Sequence, residues 1–218
     1  MIDNHLPILQ VLLPLVAAVL CLLLRNRLIV TTLAIVVTWA TFAVSVALMS
    51  AVLRQGVISY ELGGWAPPWG IEYRVDVLNA FVLVLVSGIG AVVATWSPSS
   101  ISVELPRYER HYLFYCAYLL CLAGLLGITV TGDMFNVFVF LEISALSSYV
   151  LISLGQDRRA LTAAYSYLVM GTLGATFILI GIGLLYIMTG TLNMADLAER
   201  LPEVLDTRTV IVAFGFLV

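Results

Sequence analysis

The sequence predicts an all-α integral membrane protein, a polytopic bundle of transmembrane helices. Three observations carry this. Of the 218 residues, 62% are hydrophobic and only 11% are charged, whereas a soluble domain carries roughly 25% charge. The mean hydropathy is +1.08, so the chain has too little polar surface to cover itself in water. Its apolar residues also fall in runs of membrane length, a span needing about 20 residues.

Met1-Ile2-Asp3-Asn4-His5 has no basic region, and the first apolar run ends at Arg25-Asn26-Arg27 rather than at a small-residue cleavage site. It reads as a retained span, not a signal peptide. Leu6 to Leu24 forms that first span. Pro7 and Pro14 sit in its first half, where neighbouring helices can re-satisfy the backbone. Leu28 to Leu53 is the second span and Asp76 to Trp96 the third. Between these two, the outer loop 54–75 holds Gly63-Gly64-Trp65-Ala66-Pro67-Pro68-Trp69-Gly70. Its Gly and Pro predict a loop, and its Trp residues suit the headgroup region.

Tyr112 to Leu154 is a nearly unbroken apolar stretch of about 43 residues. One helix of that length is roughly twice the bilayer span, so the stretch must fold as a hairpin. Thr131-Gly132-Asp133 supplies the turn, with Gly132 ending one helix and Thr131 or Asp133 capping the next. Spans four and five follow, and Leu161 to Thr189 is the sixth. Asn193 to Leu205 sets Met194, Leu197, Leu201 and Leu205 against Asp196, Glu199, Arg200 and Glu203. This predicts a short amphipathic helix on the outer surface, capped by Asn193 and bent near Pro202. Val210 to Val218 begins a seventh span too short to cross, so the chain is expected to be a piece of a longer protein. The regions divide at 1–110, with three spans and the outer loop, and 111–218, with the remaining spans.

Arginine placement sets the orientation. With the N-terminus outside, the inner loops carry Arg25, Arg27, Arg107, Arg110, Arg158 and Arg159, and the outer segments carry Arg54, Arg74, Arg200 and Arg208. The positive-inside rule favours that arrangement.

Composition also excludes several functions. There is no basic stripe for nucleic acid. There is no phosphate loop, nucleophile elbow, CxxC pair or haem or iron–sulfur spacing, so no cofactor and no metal site is expected. Cys21, Cys116 and Cys121 lie in apolar runs and read as small buried hydrophobes. His5 and His111 fall at span ends, where solvated imidazoles are expected.

One acid breaks the pattern. Glu142 lies nine residues past Asp133, about 13.5 Å along a helix and near the middle of a hydrocarbon layer about 30 Å thick. An ionisable group there is costly and marks, by default, an ion or proton path. The other reading is a satisfied acid that cements helices. All ten basic residues are Arg and none falls at mid-depth, so any cationic partner must come from elsewhere. Tyr149 shares the Glu142 face, and Ser144 and Ser148 lie beside it one turn apart. They read either as supports for water near the carboxylate or as packing residues. Asp133 and Asn136, at the helix entrance, read as caps or as an ion-facing vestibule.

The run Thr131-Gly132-Asp133-Met134-Phe135-Asn136-Val137-Phe138-Val139-Phe140-Leu141-Glu142 closely resembles the fifth-helix signature of the antiporter-like subunits. These comprise the D-type subunit of Mrp-type Na⁺/H⁺ antiporters and the proton-pumping membrane subunits of respiratory complex I. Leu62-Gly63-Gly64-Trp65 and Pro68-Trp69-Gly70-Ile71, with Asp76 and Asn79, look like the Mrp D-type version. The resemblance covers essentially the whole chain. It implies the N-terminal part of a 14-helix subunit in a bacterial inner membrane, with 111–218 starting a proton-translocating repeat. It makes Glu142 the essential fifth-helix glutamate, paired with a seventh-helix Lys beyond Val218. The implied partners are other subunits of a multisubunit complex, membrane lipid, H⁺ and Na⁺. A Na⁺/H⁺ antiporter subunit, a membrane-arm subunit of a NADH:quinone oxidoreductase or related hydrogenase, and a non-transporting scaffold all remain open.

Overall fold

A computed structural model describes residues 5–104, 111–155 and 157–218. The reading of Met1-Ile2-Asp3-Asn4 and the placement of Arg107 and Arg110 fall outside the described residues.

Among the described residues, six helices are long and apolar enough to cross a membrane. They are α1 (Leu6–Leu24), α2 (Arg27–Gln55), α3 (Val77–Glu104), α4 (His111–Val130), α5 (Met134–Ser153) and α6 (Arg158–Thr189). The short α7 (Met194–Val204) and α8 (Arg208–Leu217) follow. The chain is a multi-pass membrane protein. Local chemistry sets the helix ends. Asn26 caps α2 by accepting from Leu28 N at 3.1 Å, and Asp157 caps α6 by accepting from Arg159 N at 3.1 Å. Gly190, with φ +73°, stops α6 in the left-handed conformation that glycine adopts without strain. Asn193 caps α7 through Ala195 N and Asp196 N, as its position predicts.

The third span runs past Trp96 to Glu104, carrying Pro98 within it. The segment 54–75 is not simply a loop. Ile58–Glu61 (β1) and Glu72–Val75 (β2) pair antiparallel, Tyr60 opposite Tyr73. The Gly- and Pro-rich stretch is the connection between these strands. Burial explains the pairing, because Glu72, Tyr73 and Val75 of β2 are all covered.

Helices α1 to α4 pack together, and α5 lies between α4 and α6. Two glycines of α4 allow the close approach of α5. A side chain at Gly124 would meet the backbone of Phe140 and Ser144 at 2.7–2.8 Å, and one at Gly127 would enter the Phe140 ring. This is small-residue packing of the kind membrane helices use. The apolar face of α7 is used by the protein itself, Leu197 packing with Leu185, Val210 and Ala213. His111 is 5% exposed, so the solvated state expected for it is not what forms; the N-terminus of α4 is buried among its neighbours. Cys21 and Cys116 are buried thiols.

At one end of the bundle, four segments meet edge to edge. Tyr73 of β2 bridges Thr131, and Asp133 bridges Asn193. Gly132 N donates to Glu72 O and Met134 N to Leu192 O, each at 2.9 Å. Gly132 therefore serves by its size rather than by a left-handed turn. A Cβ there would press Glu72 O at 3.3 Å.

Candidate functional site

Helix α5 presents the membrane-embedded acid because its first turn is well capped and its body is apolar nearly all round. Asp133 Oδ1 accepts from Asn136 N at 2.9 Å, satisfying a donor that the helix leaves free. Burial pushes the Asp133 carboxyl above the usual range, and the backbone N–H groups of Asn136 and Phe135 pull against it. Asp133 is thus the cap of α5, and Asn136 contributes the backbone N–H that it receives. Asp133 lies about half a turn around the helix from Glu142, so the two carboxyls form no dyad.

Glu142 is the ninth residue of α5 and is half-buried. No described side chain hydrogen bonds or ion-pairs with its carboxylate. The whole chain has no Lys, and the one ion pair among the described residues is Asp196–Arg200, 2.8 Å, in α7.

Tyr149, two turns on, is the polar group nearest in kind. It is 7% exposed and within electrostatic reach of Glu142. Its ring meets that of Tyr167 edge-on at 4.8 Å. Its hydroxyl seats over Gly171 of α6, where a Cβ would lie 1.7 Å from it. Gly171 and Tyr167 therefore belong to the site. Only the contact of α5 with α6 reveals that Gly171 packs against the Tyr149 hydroxyl.

Ser144 and Ser148 turn toward α4. The Ser144 hydroxyl donates to Leu141 O at 2.9 Å, and its Cβ lies against Gly124. Ser148 donates to Ser144 O at 2.8 Å and faces Cys121 Sγ at 3.4 Å. The arrangement brings Glu142 and Tyr149 to one face, and sets the two serines on the α4 side.

Residues 131–218 match the family model described as NADH:quinone oxidoreductase/Mrp antiporter, transmembrane. The matched stretch opens at the α4–α5 turn, so it contains Glu142 and every other residue of the site. The chain is 43% identical to the N-type subunit of NADH-quinone oxidoreductase from Desulforudis audaxviator, over 98% of this chain and 43% of that one. It is 34% identical to the D-type subunit of the Na⁺/H⁺ antiporter from Alkalihalophilus pseudofirmus, over 99% of this chain and 43% of the relative. Among solved structures, it resembles a chain of the membrane-bound sulfane sulfur reductase, an archaeal respiratory membrane complex. There the TM-score is 0.90 and the identity 29%, covering 98% of this chain and 43% of that one. The chain thus spans 43% of the length of these relatives.

Proposed function

We propose that the chain, whose residues 131–218 match the NADH:quinone oxidoreductase/Mrp antiporter transmembrane family, conducts protons as part of a membrane subunit of a multisubunit Na⁺/H⁺ antiporter. Glu142 is the proton-carrying group. One observation supports this above the others: a half-buried carboxylate midway along an apolar helix, with no described side chain to pair it. In a medium of low dielectric the charged form of such a group is costly. Its proton affinity then depends on how near a cation stands, and moving that cation loads or unloads the proton. The family resemblance supplies a Lys on the seventh helix as that cation. Tyr149 extends the polar face of Glu142, whereas Ser144 and Ser148 lie on the α4 side and pack the helix pair. Other subunits of the complex, lipid, H⁺ and Na⁺ are the partners. The membrane is the bacterial inner membrane, with the N-terminus outside, consistent with Arg25, Arg27, Arg158 and Arg159 at the end opposite Arg54 and Arg74.

Glu142→Gln in the full-length protein, within its complex, is expected to reduce Na⁺-driven proton movement in everted vesicles to background while the complex still assembles on native gels. Wild-type antiport by that variant would overturn the role. Loss of assembly instead would favour a cementing acid.

A second reading has its own support in the 43% identity to a NADH-quinone oxidoreductase subunit. The same proton path is then driven by electron transfer. Proton uptake driven by NADH or another reductant, and indifferent to Na⁺, distinguishes it. Neighbouring genes for small antiporter subunits, or for quinone-site and iron–sulfur subunits, point the same way as the assay.

A further inference from the structure

A groove of about 340 Å³ runs between α5 and α6 toward the end of the bundle where the two helices join. Its walls are apolar, with Leu146 and Val150 on α5 and Leu161, Tyr165 and Leu168 on α6. On the same stretch of α6 a second, open cleft is lined by Asp157, Arg158, Arg159, Thr162, Ala163 and Ser166. Arg158 lies three and seven residues before Leu161 and Tyr165. That spacing puts it on the helical stripe of α6 that the groove uses, about one turn nearer the helix start than Leu161. Both arginines are exposed, and neither forms an ion pair with a described residue. Asp157 lines the same cleft, where its carboxylate accepts from Arg159 N as the α6 cap.

From this juxtaposition we propose that the α5–α6 groove is a binding site for one phospholipid with an anionic headgroup. The guanidinium group of Arg158 receives the phosphate, Arg159 adds positive charge at the same level of the helix, and an acyl chain lies along Val150, Leu161 and Leu168. The match is one of depth as well as charge. A lipid carries its negative group at the membrane surface and its chain directly below, and the paired arginines and the groove have that order. Guanidinium recognises phosphate through paired N–H donors, and basic clefts between transmembrane helices are recognised headgroup sites. The inference rests on the membrane-spanning fold and not on the role of Glu142.

The test uses the full-length protein in its complex, in nanodiscs containing phosphatidylglycerol or phosphatidylcholine with a photoreactive acyl chain. Cross-linked peptides are mapped by mass spectrometry. Phosphatidylglycerol is expected to label peptides of 146–153 and 161–168 roughly thirtyfold more than phosphatidylcholine, about the advantage two basic groups confer near a membrane surface. Unlabelled phosphatidylglycerol should compete this signal away in the wild type. The double variant Arg158→Gln/Arg159→Gln should fall to the phosphatidylcholine level, and Arg158→Lys/Arg159→Lys should retain most of the preference. Equal labelling by the two lipids, or unchanged labelling in the Gln variant, would overturn the site. So would protection of the groove from both probes, which would show a protein surface covering it.

Discussion

Tyr149 and Gly171 form one unit. The tyrosine hydroxyl occupies the space that any side chain at 171 would need, 1.7 Å from the position of a Cβ. Gly171→Ala must therefore push Tyr149 away from its seat, or α6 away from α5. Overpacking of this kind costs about 1–3 kcal/mol. We expect a lower thermal midpoint for the full-length variant and reduced ion movement. Tyr149→Phe removes the colliding oxygen, so the double variant should recover part of the lost stability. Equal destabilisation of the single and double variants would show that the hydroxyl is not the obstacle. Ionisable residues at the bundle end behave in opposite senses. The nearby Thr191 hydroxyl, desolvation working against it, and Arg200 leave Asp196 below the usual carboxylate range. A lowered folded pKa contributes stability that is fully present above the unfolded value and is lost as pH falls through the folded one. Asp133, raised by burial, contributes in the other direction, its stabilisation present at acid pH and lost as pH rises through its raised value. Asp196→Asn should therefore flatten the acid limb of the melting profile, and Asp133→Asn, which keeps a capping oxygen, should remove a decline above the ordinary carboxylate range. Thermal melts of each variant between pH 3 and about 7 check both signs.

Among elements, what the sequence made legible depended on which forces decide each one. The six spans could be read because hydropathy alone puts them in lipid, and the α4–α5 turn because about 43 mostly apolar residues must double back. Glu142 was legible for the same reason, being the one charge within the body of a span. The hairpin was not. Its strands are four residues each, and β2 is held partly by Thr131, distant in the chain. No local signal competes with the Gly and Pro between the strands. The orientation of the serines was equally hidden. Helix α5 is apolar nearly all round, so periodicity does not fix its rotation. What fixes it is the pair Gly124 and Gly127 on α4, which admits the Phe140 and Ser144 side of α5 and leaves Glu142 on another face. The helix that carries the acid is thus aimed by glycines on its neighbour.

Across the whole molecule, α5 is not the sole tie between the first four helices and α6 to α8. Glu72, only 6% exposed, receives the Ser59 hydroxyl within the hairpin and the Asn193 amide from the start of α7 at 3.0 Å. Its backbone carbonyl takes Gly132 N from the α4–α5 turn. One residue thus joins the hairpin, the turn that begins the acid-bearing helix, and the junction that follows α6. Replacing Glu72 by Ala leaves the buried Asn193 amide without its acceptor, a loss of about 1.5–3 kcal/mol for a hydrogen bond to a charged group. The backbone link to Gly132 survives the change. We therefore expect faster amide exchange at 190–194 in the full-length Glu72→Ala protein, with little change in α1 and α2, and an intermediate effect for Glu72→Gln, which keeps one oxygen for Asn193. If ion movement falls in step with that loosening while Glu142 is intact, the clamp sets the alignment of α5 with α6. Unchanged exchange at 190–194 would mean that the α6–α7 junction is held by α8 and the packing of Leu197 alone.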